Sequence, residues 1–250
     1  MTLMAHFRWG IVAVLACASV TFARDKKDNP KPGGSQTVDS GSFGVFVKGQ
    51  HVITETFSVQ QENGISIVKS RLQETGSNSA AGAQKSDLEM TGSGELVRYE
   101  WSDGNGSLVV TPKDEFLLEK IVAPGSSKPA EQPFLMPNTS AILDNNFFIH
   151  REVLAWRYLA TNCHTAEGSL KCQQGPVEFG VLVPQDRTSV RVRLELVGRE
   201  KVMIRGTERE LLRLNLTGES FAWTLWVNEK DQFKLMRVEI PDDNTIVLRD

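Results

Sequence analysis

The sequence has few cysteines, no excess of basic residues and no long hydrophobic run beyond its N-terminal segment. It holds three cysteines in 250 residues, and its formal net charge is −3. A chain without a basic excess lacks the field that attracts nucleic acid, so we exclude nucleic acid as a partner. After the N-terminal segment no apolar run approaches ~20 residues, so we expect no transmembrane span in the mature protein.

Motifs of known enzyme chemistry are also missing. The sequence contains no Gly-x-Ser-x-Gly elbow, no His-Glu-x-x-His pair and no glycine loop placed to hold phosphate before a helix. The acidic pairs Glu208/Glu210 and Asp242/Asp243 fall at strand edges and turns, where a solvated surface is the expected role. We therefore expect no cofactor and no metal ion, and these absences favour a protein that is not an enzyme.

The first 23 residues have the order of parts of an export signal. Arg8 is the only basic side chain of a short leading region, and residues 9–20 are uncharged and largely apolar. Small residues stand at Thr21 and Ala23, and charged residues begin at Arg24. This order predicts cleavage after Ala23 and an exported protein, either periplasmic or secreted.

Cys17 allows a second interpretation of the same segment. Residues 14–17, with the sequence Val-Leu-Ala-Cys, loosely resemble a bacterial lipobox. In that interpretation Cys17 is lipidated and anchors the protein to a membrane surface. Cleavage after Ala23 is the favoured alternative, because the apolar core ahead of Cys17 is very short.

Removing the signal leaves an even pair of cysteines, Cys163 and Cys172. In an oxidising compartment this pair predicts a disulfide that closes a short loop. Such a loop contributes roughly 2.5–3 kcal/mol in the chain-entropy description. Two free thiols, or zinc held by Cys163, His164 and Cys172, are the alternatives. The disulfide is favoured because adjacent ligands rarely point at one metal and no fourth ligand is evident.

Two segments have the composition of flexible chain. Residues 24–41 are rich in Asp, Lys, Pro, Gly and Ser, so they bury too little apolar surface to offset the entropy of ordering. We interpret them as a linker, with folded sequence from Ser42 onward. Residues 76–84, made of small and polar residues, predict a mobile loop.

Apolar residues alternate with polar ones through most of the remaining chain, which is typical of β-strands. Asn63-Gly64 is a strong hairpin turn, and short turns elsewhere leave little room for crossovers, so the strands should form an antiparallel meander. The predicted strands are residues 43–47, 53–59, 65–68, 87–91, 95–101, 107–111, 115–122, 190–196, 212–216, 221–227, 233–240 and 245–249.

In one segment the spacing of apolar residues changes from the two-residue alternation of strands to the period of a helix. Residues 139–160 carry apolar side chains at helical spacing, and Asn138, Thr139 and Ser140 are the candidate N-caps. We predict one long α-helix there, wrapped by a curved, half-barrel-like antiparallel sheet in a single β-rich domain of residues 42–250. Two β-domains joined by a helical linker are the alternative.

Both ends of the predicted domain carry a resemblance. Residues 44–49 and 55–57, together with residues 225–228 and 235–241, resemble bacterial exported families of unknown function. Their predicted folds are similar to the half-barrels of the lipoprotein carriers LolA and LolB, which hold acyl chains on an apolar concave face. The resemblance implies this fold, and no residue here matches a functional motif of those families.

Candidate site residues are few. His150 lies near Leu143, Phe147 and Leu154 on the predicted helix, where it is either a general base oriented by Asp144 or Glu152, or a core-edge histidine. We favour the core-edge histidine, because a histidine alone is not a mechanism.

Tryptophans are the other candidates. Trp101 and Trp226 are weak candidates, with His150, for lining an apolar ligand pocket, and Trp156 and Trp223 are expected in the core. Trp223 and Trp226 cannot share a face of a regular strand.

Three functions follow from these observations. The leading hypothesis is a non-enzymatic periplasmic protein that binds a lipid or another apolar ligand on the concave face of its sheet. The second is a structural envelope protein that binds a protein partner and whose core is filled by its own helix. The third is a hydrolase that uses His150.

Overall fold

The structure is a computed structural model and describes residues 34–76, 83–126 and 128–250. The predicted export signal, Cys17 and the first part of the predicted linker lie outside the described residues. Most of the loop predicted at residues 76–84 also lies outside them.

The described part of the chain contains seventeen strands, one α-helix and a short 3-10 turn at Pro241–Asp243. The first nine strands are β1 (Gln36–Val47), β2 (Gln50–Glu62), β3 (Ile65–Glu74), β4 (Lys85–Thr91), β5 (Leu96–Ser102), β6 (Ser107–Lys113), β7 (Phe116–Val122), β8 (Ala130–Phe134) and β9 (Ala141–Ile142). After them come α1 (Ile149–Asn162), β10 (Cys163–Ala166), β11 (Ser169–Cys172), β12 (Val177–Val183), β13 (Thr188–Ile204), β14 (Thr207–Thr217), β15 (Ala222–Asn228), β16 (Lys234–Ile240) and β17 (Thr245–Arg249).

Fifteen of these strands form one sheet in the order β8-β7-β6-β5-β4-β3-β2-β1-β17-β16-β15-β14-β13-β12-β9. The pairs are antiparallel, apart from the short parallel pairing of β9 with β12. The first and last strands pair in the middle of this order, so both ends of the described chain meet there. The predicted mainly β fold, a curved antiparallel sheet with one helix, is confirmed.

The sheet curls so that strands far apart in this order come together. The side chain of Gln132 on β8 donates a hydrogen bond to the backbone carbonyl of Arg187, in the turn between β12 and β13, at 3.5 Å. One row of inward side chains crosses neighbouring strands in register, and all of its members are buried: Val59, Val68, Leu88, Tyr99 and Val110. This inner face packs against α1.

The helix begins at Ile149, ten residues later than the sequence predicted, and ends two residues beyond residue 160. Ala141 and Ile142 form β9 instead and pair with Val181 and Leu182 of β12. The Asp144 carboxylate accepts a hydrogen bond from the backbone N–H of Asn146 at 2.8 Å, a local bond that competes with helix formation. The apolar residues before Asp144 therefore enter the core from a strand.

The predicted linker was too long at its C-terminal end. Gln36–Val47 is strand β1, and its residues 36–41 pair with β2. Asp39 in this segment is buried and forms an ion pair with Arg249, with Nη2 and Oδ2 2.6 Å apart. Composition alone does not reveal a partner that lies 210 residues away.

Strand β8 was missed because its segment is rich in proline. Pro133 lacks the N–H that a central strand needs, but β8 is an edge strand of the sheet, where proline is tolerated. The disulfide loop was also predicted without its strands β10 and β11.

A smaller apolar cluster lies on the opposite face of the sheet. Ile204, Leu211, Trp226 and Met236 form this outer cluster, with Val202 and Leu248 packed against it. The long hairpin of β13 and β14, which carries a bulge at Gly198, supplies two of its members. Within the described residues, no helix is long and apolar enough to cross a membrane.

Candidate functional site

A carboxylate from the sheet binds the first turn of α1. Glu55 on β2 is fully buried, and its oxygens accept hydrogen bonds from the backbone N–H groups of Phe148, at 2.6 Å, and Ile149, at 3.2 Å. The hydroxyl of Ser70 donates a third bond at 2.7 Å. Burial raises the pKa of Glu55 to about 7. This group satisfies backbone donors that a helix end leaves free.

Arg151 is also buried within the same end of the fold. Its Nη1 donates to the carbonyls of Asp144 and Phe147, the second at 2.7 Å. Its guanidinium lies 5.2 Å from the ring centroid of Phe148 and 4.8 Å from that of Trp223. Burial lowers its pKa to about 10, so Arg151 stays charged at neutral pH. The charged guanidinium of Arg151 stabilises the turn that precedes the helix through these hydrogen bonds.

Asp144 links this turn to both sides of the curled sheet. Its carboxylate accepts hydrogen bonds from the Tyr99 hydroxyl on β5 and from the side-chain amide of Gln185, in the turn after β12. Burial raises the pKa of Asp144. Because these two donors occupy the carboxylate, Asp144 does not orient the ring of His150 through its side chain.

His150 is 1% exposed and sits between the rings of Tyr99 and Phe147. Its Nδ1 accepts a hydrogen bond from the backbone N–H of Asp144 at 3.2 Å, while its Nε2 has no partner among the described residues. Burial, and then the charge of Arg151, lower the pKa of His150 to about 3. A histidine with this pKa is a weak base at neutral pH, which supports the core-edge interpretation.

Glu152, the other proposed orienting group, belongs to a separate buried cluster. Its Oε2 accepts from the backbone N–H of Leu235 at 2.6 Å and from Nη1 of Arg249 at 2.9 Å. Arg249 also binds Asp39, so one cation joins the helix to β1 and β17. Burial raises the pKa of Glu152 well above its usual value. This cluster fixes the helix in the sheet.

A cavity of about 220 Å³ remains between α1 and the strands β3 to β5. We call it the helix-flanking cavity. Its main apolar lining residues are Leu88, Met90, Leu96, Ile142, Val153 and Trp156. His150 and Arg157 of the helix also line it.

Of the three candidate ligand-binding residues, only His150 lies at this cavity. The indole N–H of Trp101 donates to Gln84 at 3.4 Å, and Trp101 lines a separate depression over β2 to β6. Trp226 lies in the outer cluster, on the other face of the sheet, where its indole N–H donates to Glu200 at 3.1 Å. Trp223 packs on the inner core, so the two tryptophans of β15 do face opposite ways.

Trp156, which the sequence analysis placed in the core, is the tryptophan that lines the cavity. The turn at residues 92–94, which closes one side of the cavity, carried no signal beyond that of an ordinary hairpin. A cavity forms where the side chains of two packed elements do not fill the space between them, which a sequence pattern does not show. The helical spacing of residues 150, 153 and 157 indicates only that they share one face of α1, the face that lines the cavity.

Two larger depressions are open to solvent and lie elsewhere. One, of about 580 Å³, crosses the surface of β2 to β6 and is lined by exposed polar residues such as Lys69, Arg71 and Lys85. The other, of about 700 Å³, lies beside the end of α1 and the β10–β11 hairpin. Apolar residues also line both depressions, such as Leu108 in the first and Leu159 in the second, and the helix-flanking cavity is the smallest of the three.

Cys163 and Cys172 form a disulfide, with Cα atoms 4.0 Å apart, so the predicted pairing is present and the thiol and zinc alternatives are wrong. Across the described ranges, no three His, Cys, Asp or Glu side chains are grouped to hold a metal ion.

No protein family and no curated protein matches this chain. Among solved structures, the fold is similar to a β-barrel-like protein of a domain of unknown function, DUF1849, from Brucella abortus. The match has 6% sequence identity and a TM-score of 0.41, and it covers 86% of this chain and 97% of that chain. A likeness of this size carries no functional argument.

Proposed function

We propose that this protein is a non-enzymatic, exported binding protein that takes one apolar chain of a lipid or another amphipathic ligand into the helix-flanking cavity. The observation that carries the proposal is the cavity itself, an apolar space of about 220 Å³ beside a helix that otherwise packs tightly. Ligand sites are commonly concave and apolar with a few polar groups, and this cavity has His150 and Arg157.

The size of the space limits the ligand. Small-molecule sites usually measure ~300–1,000 Å³, so a cavity of about 220 Å³ admits one narrow chain. The lipoprotein carriers hold acyl chains on an open concave face, but here α1 occupies that face with Leu154, Ala155 and Tyr158. A carrier of several acyl chains would need the helix to leave.

The disulfide supports the exported location. Disulfides persist in oxidising compartments such as the periplasm, and the Cys163–Cys172 bond fits that environment. Expression of the full chain in a bacterium, followed by separation of periplasm from cytoplasm, tests the location. Recovery of the processed protein in the periplasmic fraction is the expected result, and retention of the unprocessed chain in the cytoplasm contradicts it.

Filling the cavity tests the binding function. We expect the protein purified from the periplasm, with bound lipid removed, to bind octan-1-ol in isothermal titration calorimetry, and Val153→Trp to weaken binding at least tenfold, because the larger side chain takes the same space. Val197→Trp is the matched control, since Val197 is 52% exposed on β13. Equal binding by a folded Val153→Trp protein, judged by circular dichroism, contradicts the proposal.

A second function is favoured by a different observation. Two buried polar clusters, around Glu55 and around Arg249, fix the helix in the sheet. Because the helix then fills the concave face of the sheet, this arrangement suits an envelope protein that binds a protein partner. Native mass spectrometry of the periplasmic protein separates the two functions. Co-purified lipid supports the ligand-binding function, whereas a ligand-free protein that also fails to bind the probe supports the partner-binding one.

A further inference from the structure

The open depression beside the end of α1 and the β10–β11 hairpin has an uncharged lining. It measures about 700 Å³. Its described lining residues include no Asp, Glu, Lys or Arg, although these four types make up 24% of the chain. The depression over β2 to β6, in contrast, is lined by Lys69, Asp87 and Glu100 among others. The uncharged lining therefore distinguishes this place, which we call the neutral depression.

Exposed amide and hydroxyl side chains contribute the polar part of this lining. Gln36 and Gln61 lie opposite each other on β1 and β2, and Gln232, in the turn before β16, and Thr165, on β10, complete the group. All four are exposed, and their side chains form no hydrogen bond with another described residue. Because a primary amide both donates and accepts hydrogen bonds, these groups suit a neutral ligand that also does both.

The apolar lining residues are less exposed than the polar ones. Leu159 is buried, and Trp156, Leu170 and Phe233 are half-buried. The indole N–H of Trp156 donates a hydrogen bond to the backbone carbonyl of Phe233 at 3.0 Å, which fixes the indole relative to the turn before β16. The neutral depression therefore combines apolar surface with uncharged hydrogen-bonding groups.

The turn that carries Gln232 and Phe233 has an unfavourable backbone conformation. Their φ angles are 53° and 56°, in the left-handed region that residues other than glycine seldom adopt. Such conformations persist where the surrounding structure fixes them, and they are concentrated at binding and active sites. The hydrogen bond from Trp156 is one contact that holds this turn in place.

We propose that the neutral depression binds an uncharged sugar. A sugar ring has apolar C–H faces and hydroxyl groups at its edge, which match the two kinds of lining residue. The volume lies within the ~300–1,000 Å³ that is usual for small-molecule sites. A charged sugar would lose part of its hydration without gaining an opposite charge. This site does not depend on the proposed function, although Trp156 and Ala160 line both the neutral depression and the helix-flanking cavity.

Isothermal titration calorimetry of the protein purified from the periplasm tests this site with sugars of matched structure. The neutral probes are maltose, cellobiose and N,N′-diacetylchitobiose. Maltose 1-phosphate and deacetylated, protonated chitobiose are charged counterparts of the first and the third. We expect at least one neutral probe to bind with a Kd of about 1 mM or tighter, and the charged counterparts to bind about tenfold more weakly than their neutral forms. The proposal is overturned if no neutral probe binds, or if the charged counterparts bind as tightly.

Variants of the two facing glutamines assign binding to this place. Gln36→Ala and Gln61→Ala should each weaken neutral sugar binding about threefold to tenfold, because each removes hydrogen bonds to the ligand. Gln50→Ala, an exposed glutamine at the start of β2 outside the lining, is the control and should bind as the wild type does. Gln61→Lys should strengthen the binding of maltose 1-phosphate relative to maltose, a gain that unfolding cannot produce.

The neutral depression and the helix-flanking cavity are tested independently. Binding of octan-1-ol that Val153→Trp weakens, without binding of any neutral sugar, overturns the sugar site and leaves the proposed function standing. Sugar binding that Gln61→Ala weakens, without binding of octan-1-ol, supports the sugar site and contradicts the proposed function. Circular dichroism of each variant confirms that lost binding does not reflect an unfolded protein.

Discussion

At the scale of single residues, the effect of a buried carboxylate on stability depends on its hydrogen-bond partners. Glu55 accepts hydrogen bonds from three donors and serves as the cap of a helix that begins 94 residues later. Glu119 on β7 is equally buried, but neither of its oxygens has a hydrogen-bond partner among the described residues. Burial raises the pKa of both carboxyls to about 7, but hydrogen bonds offset part of the cost of burial at Glu55 and none of it at Glu119.

Glu119 predicts a pH dependence of stability. Burial raises its pKa to about 7, against the opposing charge of Arg187. A carboxyl with a raised native pKa binds more protons when folded, so its contribution to the free energy of unfolding falls as pH rises from about 4.5 to about 7. Glu119→Gln should match the wild type at pH 4 and exceed it at pH 8 by roughly 1–2 kcal/mol, after allowance for screening by solvent and Arg187.

Urea unfolding at both pH values measures this difference. Glu115→Gln, an exposed carboxylate just before β7, is the control and should change stability little at either pH. A Glu119→Gln protein that is less stable than the wild type at pH 8 would show that the carboxylate has a partner in solution.

At the scale of elements, local patterns located the strands better than the helix start. The alternation of residues 190–196 and the Asn63-Gly64 turn, with positive φ at both residues, are decided within a few residues of chain. The start of α1 was placed too early because Ile142 and Leu143 also fit a helical stripe. Ile142 instead lies in β9 opposite Leu182, and Leu143 donates its N–H to the Leu182 carbonyl, contacts that no local pattern contains.

The disulfide hairpin gives a prediction at this scale. Replacing both Cys163 and Cys172 with Ser should lower the free energy of unfolding by about 2–3 kcal/mol, because the open loop gains entropy in the unfolded chain. Denaturant unfolding with and without a reductant measures it. Reductant should destabilise the wild type by a similar amount and leave the double variant unchanged; a wild type insensitive to reductant contradicts the prediction.

At the scale of the whole molecule, the helix is the centre on which the curled sheet closes. Residues of α1 share one apolar cluster with strands from both halves of the sheet order, for example Val68 on β3 and Leu214 on β14. A core shared in this way predicts that residues 36–250 unfold as one cooperative unit, as expected for a single domain.

Leu154→Ala tests this cooperativity. Leu154 is 1% exposed in α1, so its truncation should cost about 2–5 kcal/mol. Tryptophan fluorescence and far-ultraviolet circular dichroism should report the same shift in the unfolding midpoint. Met203→Ala, at an exposed position on β13, is the control and should change stability by less than about 0.5 kcal/mol. Two separate transitions would favour two β-domains instead.

The candidate site contains residues that the sequence analysis identified and others that it did not. His150 was identified because it lies among apolar residues of the predicted helix. Arg157 was not identified, and Trp156 was expected only in the core, against which it also packs. Trp226 looked like a pocket residue and lies in the outer cluster, because the long β13–β14 hairpin reaches that face. Face and exposure depend on contacts that the local spacing does not contain.

The sequence by itself determined most of the strands, several turns, the presence of one helix and the pairing of Cys163 with Cys172, because period, turn chemistry and cysteine number act over short stretches of chain. The tertiary structure alone decided that the helix fills the concave face, that Arg249 joins Asp39 to Glu152, and that a cavity remains beside His150. Those features bring together side chains from distant parts of the chain, such as Asp39 and Arg249, which are 210 residues apart, and only the folded packing brings them within reach of one another.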